Sequence, residues 1–177
     1  MNFKQHVWPV LSLTIISVAV AAVLALTNNL TKDIILQQEI DAANAAKLEV
    51  LPEADGFEVI ELNESDKTAY NVTDVVSARN GAGTVITLSS AGYGGQVPVM
   101  VGFDANGNIT RIKVMENSET PGIGKKTEDE AYWGQYNGLG ADLSSVKPIT
   151  GATVSSTSVK TSVENAFKVY EIVKGGN

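Results

Sequence analysis

An unbroken stretch without any charged side chain, residues 7–26, is the feature that most constrains what this chain can fold into. In a helix with a rise of about 1.5 Å per residue, its 20 residues would cover the ~30 Å hydrocarbon core of a bilayer. Trp8 lies at one end, where an indole ring favours the membrane interface. The hydroxyl groups of Ser12, Thr14 and Ser17 can donate to carbonyls one turn earlier in such a helix. The stretch therefore predicts one membrane-spanning helix near the start of the chain.

A cleaved signal peptide is the alternative interpretation, because residues 23–25 (Val-Leu-Ala) resemble a small-residue cleavage site. The apolar run is long for a signal peptide, and Lys4 is the only charged residue ahead of it, which favours a retained anchor. After the stretch, Lys32 is offset by Asp33. The positive-inside rule then places the N-terminus in the cytoplasm and the following domain outside the cytoplasmic membrane.

The chain is accordingly divided into three parts. Residues 1–28 would hold the cytoplasmic N-terminus and the transmembrane anchor. Apolar residues recur at helical spacing over residues 30–50 and Pro52 ends the pattern, which predicts a helical stalk over residues 29–52. Residues 53–177 would form the extracytoplasmic domain.

Composition excludes several classes of function. The net charge of −7 and the pI near 4.7 lack the basic footprint of a nucleic-acid-binding protein. The absence of cysteine excludes disulfides, iron–sulfur ligation and thiol chemistry. His6 is the only histidine and borders the apolar stretch, so a zinc or haem site built from several histidines is also excluded. If the protein carries electrons, the carrier is expected to be organic.

Alternating and turn-forming residues predict an antiparallel sheet. Strands are expected over residues 84–88, 97–103 and 109–115, whereas residues 56–76 suggest short strands and turns. Asn106 and Gly107 supply the positive φ that a hairpin between the last two strands needs.

Two finer predictions concern these strands. Pro98 indicates a sheet edge at the start of its strand, because proline has no N–H to donate to a neighbouring strand. Alternation also predicts that Thr110, Ile112 and Val114 share one face of the last strand.

Two helical segments follow the strands. A short helix is expected around residues 128–136, with Tyr132 and Trp133 as core residues. A longer one is expected over residues 155–173, because six apolar residues fall on one face at helical spacing, with Ser155 and Ser156 standing where an N-cap belongs. The fold class predicted is α+β, with one N-terminal transmembrane helix followed by an antiparallel sheet and a C-terminal helix packed on it.

Two stretches carry candidate chemistry. Residues 150–156 (Thr-Gly-Ala-Thr-Val-Ser-Ser) run into the C-terminal helix, where small residues and free backbone donors can form an anion site. From the residues alone, a hydroxyl-rich helix cap is the stronger interpretation, because serine and threonine cap helices routinely. In residues 119–125 (Glu-Thr-Pro-Gly-Ile-Gly-Lys), two glycines around an apolar residue would let the backbone approach a flat ligand, although an ordinary Gly/Pro loop has the same composition.

Together these stretches resemble the FMN-binding subunits of membrane ion-pumping redox complexes, in particular the G subunit of the Rnf electron-transport complex. The resemblance covers nearly the whole chain: the N-terminal span, the Gly-Tyr-Gly-Gly stretch at residues 92–95 and the strand after it, the loop at residues 119–124, and the Thr-Gly-Ala-Thr motif at residues 150–153. Lys147 stands where the family's motif usually has an acidic residue. The same motif occurs in the C subunit of the sodium-pumping NADH:quinone reductase, which is the alternative within this resemblance but is generally longer.

The resemblance implies that a flavin transferase joins the phosphate of FMN covalently to Thr153. It places the loop at residues 119–125 near the isoalloxazine ring. The cofactor-binding residues it implies are Thr150, Gly151, Ala152, Thr153, Ser155, Ser156, Glu119, Thr120, Gly122, Ile123, Gly124 and Lys125.

The resemblance further implies a redox subunit that passes electrons from reduced ferredoxin towards NAD within an ion-translocating membrane complex. Other subunits of that complex would be its partners. Neither a catalytic acid–base or nucleophile set nor a metal site is apparent in the sequence, so no stand-alone catalysis is expected. A membrane-anchored binding module without redox chemistry and a stand-alone FMN reductase remain the alternatives.

Overall fold

The computed structural model describes the backbone of residues 3–175, with side chains throughout residues 40–175 and at parts of the N-terminal helix. The chain separates into two units, Met1–Ala43 and Asn44–Asn177. The side chains of Lys4, His6 and Lys32 lie outside the described residues.

The first unit consists of helix α1, which runs from Phe3 to Val50 and so extends into the second unit. Helix α1 thus covers both segments for which the sequence predicts helix, the span and the stalk. Ser17 Oγ donates to Leu13 O at 2.8 Å, which confirms the expected bond to the preceding turn. Among the residues whose side chains are described, no helix is long and apolar enough to cross a membrane.

The described apolar side chains of this part of α1 are exposed. Nine large ones between residues 8 and 24 have 53% or more of their surface accessible: Trp8, Leu11, Leu13, Ile15, Ile16, Val18, Val20, Val23 and Leu24. Exposed contiguous apolar surface of this kind is uncommon in proteins that are surrounded by water alone.

The second unit is built on a five-stranded antiparallel sheet in which neighbours in sequence are neighbours in space. The strands are β1 (Phe57–Val59), β2 (Val72–Ala78), β3 (Gly83–Ala91), β4 (Gln96–Asp104) and β5 (Ile109–Val114). The predicted hairpin turn is confirmed, but of its two central residues Gly107 alone has a positive φ, at 86°, and the positive φ predicted for Asn106 is wrong. The Asp104 carboxylate accepts from the Asn106 and Asn108 amides at 2.8 Å and holds the turn. Together with the helices, this sheet confirms the α+β class.

Strand β4 pairs with β3 on one side and with β5 on the other, so the sheet edge predicted from Pro98 is limited to the start of the strand. Pro98 itself lies one residue beyond the last pair with β5, Val99 with Val114. The carbonyl of Pro98 accepts from Met115 at 2.9 Å and therefore points towards the β5 side. Because the N and the C=O of one residue point to the same side of an antiparallel strand, the N–H that proline lacks would also point there, beyond the end of β5. The proline therefore costs the sheet no ladder bond.

The predicted face of β5 is also wrong at Thr110. The register shifts between Gly102 and Phe103, so Ile109 and Ile112 reach the same cluster although they are three residues apart. Thr110 Oγ1 instead donates to the carbonyl of Val50 at the end of α1.

The last turns of α1 cover one face of the sheet. Ala46 and Val50 are buried there with Leu51, Ala54, Val76, Ala78, Val85 and Met100. Lys47 Nζ lies 2.7 Å from the Asp74 carboxylate, and Lys113 Nζ lies 2.7 Å from that of Glu49. This face is therefore closed by both apolar packing and ion pairs.

Helix α2 (Glu64–Tyr70) lies in the region for which only strands and turns are predicted. Its N-cap Asn63 accepts from the amide of Asp66 at 2.8 Å, and Asn71 ends it in the left-handed conformation at φ 51°. None of its residues is buried, so it has no apolar stripe that periodicity could detect.

The other face of the sheet carries the C-terminal part of the chain. A 3₁₀ turn (Gly124–Glu128), helix α3 (Glu130–Trp133) and a second 3₁₀ turn (Gly134–Tyr136) occupy the region expected to be one short helix. Helix α4 (Thr153–Gly175) then packs its buried face on the main core, as its periodicity predicts. It begins two residues earlier than expected, so Ser155 and Ser156 lie inside its first turn and not at the N-cap position.

Candidate functional site

Three segments that are distant in sequence meet at the start of α4 and enclose a pocket of about 560 Å³. One is the turn between β3 and β4, the second is the loop after β5, and the third is the end of the loop before α4 with its first turn. The lining residues are Tyr93, Glu119, Thr120, Ile123, Gly124, Gly151, Ala152, Thr153, Val154 and Ser155. This volume lies within the range of about 300–1,000 Å³ that is typical of pockets for small organic ligands.

Glu119 ties the three segments together from inside the protein. Its side chain is only 2% exposed. Oε1 accepts from the amide of Gly94 at 2.8 Å, and Oε2 accepts from the hydroxyl of Ser155. The backbone amide of Glu119 donates to Asn117 Oδ1 at 3.0 Å, which fixes the loop on the other side.

The Glu119 carboxylate is held in its ionised form. Burial on its own raises the pKa of this carboxyl, but the hydrogen bonds from Ser155 and from the backbone amides of the 92–95 turn outweigh burial and lower the net pKa below the ordinary glutamate value. A negative charge therefore lies beside the first turn of α4, whose dipole favours it.

Two glycines, Gly124 of the pocket lining and Gly92 of the neighbouring turn, make room for this carboxylate. A Cβ at Gly124 would collide with Glu119 Oε2 and lie 2.7 Å from Ser155 Oγ, and a Cβ at Gly92 would collide with Glu119 Oε1. The sequence predicted that the glycines of the 119–125 loop let the backbone approach a ligand. At Gly124 the space is filled by the protein's own carboxylate.

Thr153 is the first residue of α4 and its side chain is exposed at the pocket. The first amides of a helix have no partner within the helix. For Thr153, Val154 and Ser155, no other acceptor occurs in the part of the chain that the structure describes. Gly151, at φ 82°, supplies the left-handed turn that directs the chain into the helix. The hydroxyl of Thr153 thus stands beside several free N–H donors.

The rim of the pocket is apolar and open to solvent. Tyr93 is 77% exposed, Ile123 50% and Val154 53%. Tyr93 and Val154 are absent from the residues that sequence reasoning assigned to the site. The glycines around Tyr93 in the 92–95 stretch could have identified it as a site residue. A large aromatic side chain in an exposed glycine-rich turn does not pack in a core, which points to a role in binding.

Four of the predicted site residues lie outside the lining. Lys125 Nζ is 3.1 Å from the Glu128 carboxylate. Ser156 Oγ accepts from the Ile149 amide at 3.0 Å and donates to the carbonyl of Ala152 at 2.9 Å. Thr150 is exposed in the preceding loop, and Gly122 is a turn residue at φ 73°.

Comparison with known proteins bears directly on this pocket. A family model described as an FMN-binding domain matches residues 92–168, a range that contains all three pocket segments. The G subunit of the Na(+)-translocating ferredoxin:NAD(+) oxidoreductase complex of Acetobacterium woodii is 30% identical, over 91% of this chain and 89% of its own. The G subunit of the ion-translocating oxidoreductase complex of Methanosarcina acetivorans is 31% identical, over 97% of this chain and 98% of its own.

The chain belongs to the family of G subunits of ion-translocating oxidoreductase complexes. A crystal structure of Shewanella oneidensis NqrC is also similar, with 20% identity over 53% of this chain and 54% of that chain and a TM-score of 0.47. The membership confirms the family inferred from the motifs at residues 92–95, 119–124 and 150–153.

The residues of this G-subunit pocket fit FMN. The apolar rim offers contact area for a flat aromatic ring, and the free amides at the start of α4 offer donors for a phosphate. The two features lie on the same pocket, with Val154 contributing to the rim directly after Thr153.

Proposed function

We propose that this protein is the electron-relay subunit of an ion-translocating ferredoxin:NAD oxidoreductase complex and carries FMN joined through its phosphate to Thr153. The observation that supports the proposal most strongly is the place of Thr153. Its hydroxyl stands at the pocket, in the first residue of a long helix whose leading amides have no acceptor among the residues that the structure describes.

A phosphoester suits this position electrostatically. The bond forms between the Thr153 oxygen and the flavin phosphorus, with loss of the hydroxyl proton. It requires an activated flavin phosphate as co-substrate of the flavin transferase, a flavin dinucleotide, whose P–O–P bond breaks and releases a nucleoside monophosphate. The diester keeps one negative charge, and a helix N-terminus stabilises such a charge by about 0.3–1 kcal/mol at exposed sites. Thr150, Gly151 and Ala152 would act through the backbone, by presenting Thr153 and the first amides of α4.

Tyr93, Ile123 and Val154 would hold the ring. Their exposed apolar surfaces line the pocket and would lose contact with water when an aromatic ligand covers them. Bound FMN supplies the capacity to accept and donate electrons, and the protein supplies its position and surroundings.

The pocket offers no acid–base machinery for a soluble substrate. Glu119 is the carboxylate among the lining residues, and both of its oxygens are already hydrogen-bonded. A relay between other subunits therefore fits the site better than a stand-alone FMN reductase does. Membrane and peripheral subunits of the complex would deliver and remove the electrons.

Residues 7–26 would anchor the protein in the cytoplasmic membrane as a single span. Their lack of charge and the exposure of nine large apolar side chains between residues 8 and 24 support this proposal. Residues 1–28 would then be the cytoplasmic end and anchor, residues 29–52 the stalk, and residues 53–177 the extracytoplasmic FMN-binding domain.

The experiment tests whether flavin is attached covalently at Thr153. The full-length chain is produced with a flavin transferase, denatured and separated on a gel, where a flavin-fluorescent band is expected from the wild type. Thr153→Val should abolish the band. Thr157→Val is the matched control, because Thr157 is an exposed threonine one helical turn further along α4, and it should keep the band.

A band that survives Thr153→Val would contradict the attachment site, and mass analysis of the peptide containing Thr153 would then locate the flavin elsewhere. A colourless wild-type protein made beside a working transferase would contradict the flavin itself and favour the membrane-anchored binding module.

A further inference from the structure

Glu119 stands apart from its neighbours at the pocket because both of its carboxylate oxygens are bonded to groups of the protein itself. The side chain is buried, Oε1 is bonded to the turn at residues 92–95, and Oε2 is bonded to Ser155. We propose that Glu119 is a positioning residue, whose carboxylate fixes the β3–β4 turn and the first turn of α4 relative to each other so that Tyr93 and Thr153 face one pocket. The proposal rests on the flavin site proposed above.

The contacts lie next to the residues whose positions they would set. Gly94, which donates to Oε1, directly follows Tyr93 in the chain. Ser155, which donates to Oε2, comes two residues after Thr153 in the same helical turn. One carboxylate therefore links the backbone that bears the aromatic rim to the backbone that bears the hydroxyl.

Hydrogen bonds to a buried carboxylate are suited to this role. A charge-assisted hydrogen bond is about twice as strong as a neutral one, and it is directional. Neither the turn at residues 92–95 nor the loop around Thr120 has a buried side chain other than Glu119 that could hold its position. In the described structure, Glu119 is the buried polar side chain that bonds to both the turn and the helix.

The surrounding glycines show that the space is reserved for this carboxylate. At Gly92 and Gly124 an added Cβ would collide with one or the other of its oxygens. At Gly94 it would collide with the carbonyl of Ser118, the residue before Glu119. Gly92, Gly94 and Gly124, which belong to two different motifs, thus have one shared cause, the close packing of segments around Glu119.

The experiment compares Glu119→Ala, Glu119→Gln, Ser155→Ala and the control Glu116→Gln in the full-length chain. Glu116 is an exposed glutamate of the same loop. Two quantities are measured: the initial rate of covalent flavin labelling with a transferase, and the visible circular dichroism of the attached flavin, which reports on how the ring is held. Misplacement of reacting groups by about 1 Å can cost a factor of about 10² in rate.

We expect Glu119→Ala to label up to about a hundredfold more slowly and to show altered flavin dichroism. Glu119→Gln should recover much of both, because its amide can still accept from Gly94 and hydrogen-bond to Ser155. Ser155→Ala should fall between Glu119→Gln and Glu119→Ala, and Glu116→Gln should match the wild type. Wild-type rate and dichroism in Glu119→Ala would overturn the proposal, and so would a Glu119→Gln protein no better than Glu119→Ala.

A third measurement does not depend on flavin. In the unlabelled protein, hydrogen exchange at the amide of Gly94 should be faster in Glu119→Ala and Ser155→Ala than in the wild type, and unchanged in Glu116→Gln. Unchanged hydrogen exchange in both pocket variants would overturn the proposal even if Thr153 proves to be the attachment residue.

A wild-type protein that never acquires flavin would contradict the proposed function. The exchange measurement would then still decide the role of Glu119. Ser155→Ala removes a single hydroxyl and keeps the test available if Glu119→Ala does not fold.

Discussion

At the scale of single residues, the site depends on a contact that joins positions 36 apart in the sequence, Glu119 and Ser155. Each residue has an ordinary interpretation alone, as a loop glutamate and as a helix-capping serine. In the structure they form one unit, because the buried carboxylate of Glu119 accepts from both Ser155 and the turn at residues 92–95. No local pattern carries that information, because a hydrogen bond across three segments depends on how the whole sheet folds.

The glycine beside this carboxylate gives a test at the same scale. Gly124→Ala forces a Cβ against Glu119 and Ser155, and overpacking of this kind costs about 1–3 kcal/mol of unfolding free energy. Gly134→Ala is the matched control, since its nearest neighbouring atom would be 3.9 Å away and its φ of −61° suits any residue.

Chemical unfolding of the two variants beside the wild type measures the difference. We expect Gly134→Ala to stay within about 0.5 kcal/mol of the wild type. If Gly124→Ala were equally neutral, the packing of Glu119 against Gly124 would be looser than the structure indicates.

At the scale of elements, prediction succeeds where neighbouring residues determine the outcome. Strands β3, β4 and β5 and the hairpin at Gly107 follow from alternation and turn chemistry, and α4 follows from its apolar stripe. Helix α2 was missed because two asparagine caps define it and none of its residues is buried.

Two errors have a tertiary cause. Thr110 bonds to the end of α1 because the register of β5 shifts against β4, and a one-residue shift reverses the faces of a strand. The pocket was predicted only in part for a similar reason. Residues 119–124 and 150–153 stand out by composition, whereas the contribution of Tyr93 depends on where its turn lies.

The proposed anchor is the element most open to direct test. A chain that lacks residues 1–28 should move from the membrane fraction to the soluble fraction, because the charge-free segment is removed. Orientation can be measured in the same system, since the chain has no cysteine of its own. A single cysteine at the exposed Ser145 should react with a membrane-impermeant maleimide added outside intact cells.

A truncated chain that stays with the membrane would contradict an anchor in residues 1–28, provided that other subunits of the complex are absent. Labelling at residue 145 only after the cells are opened would reverse the proposed orientation.

At the scale of the whole molecule, membership of the G-subunit family places the protein in an assembly. If the protein is an electron relay, the flavin on Thr153 is needed for electron transfer but not for association with the other subunits. Complexes that contain Thr153→Val should therefore be recovered from membranes with the same subunits as the wild type. Their electron transfer from reduced ferredoxin to NAD should fall to the level of membranes that lack this protein.

The readout is the rate of NAD reduction by reduced ferredoxin in washed membranes, with Thr157→Val as the control that should retain activity. Full activity in the Thr153→Val complex would show that electrons bypass this residue. Loss of the neighbouring subunits from that complex would instead assign Thr153 to assembly.

The order of the strands and helices along the chain determines when the pocket can form during synthesis. Helix α4 follows every strand of the sheet in sequence, yet it supplies Thr153 and the hydroxyl that Glu119 holds. During synthesis the five strands can pair as successive hairpins, since each pairs with its neighbour in sequence, but their α4-facing side stays uncovered until the 23 residues of α4 have been made. A transferase that reads the folded pocket would find no substrate on the growing chain, so maturation would begin only after this last helix has docked.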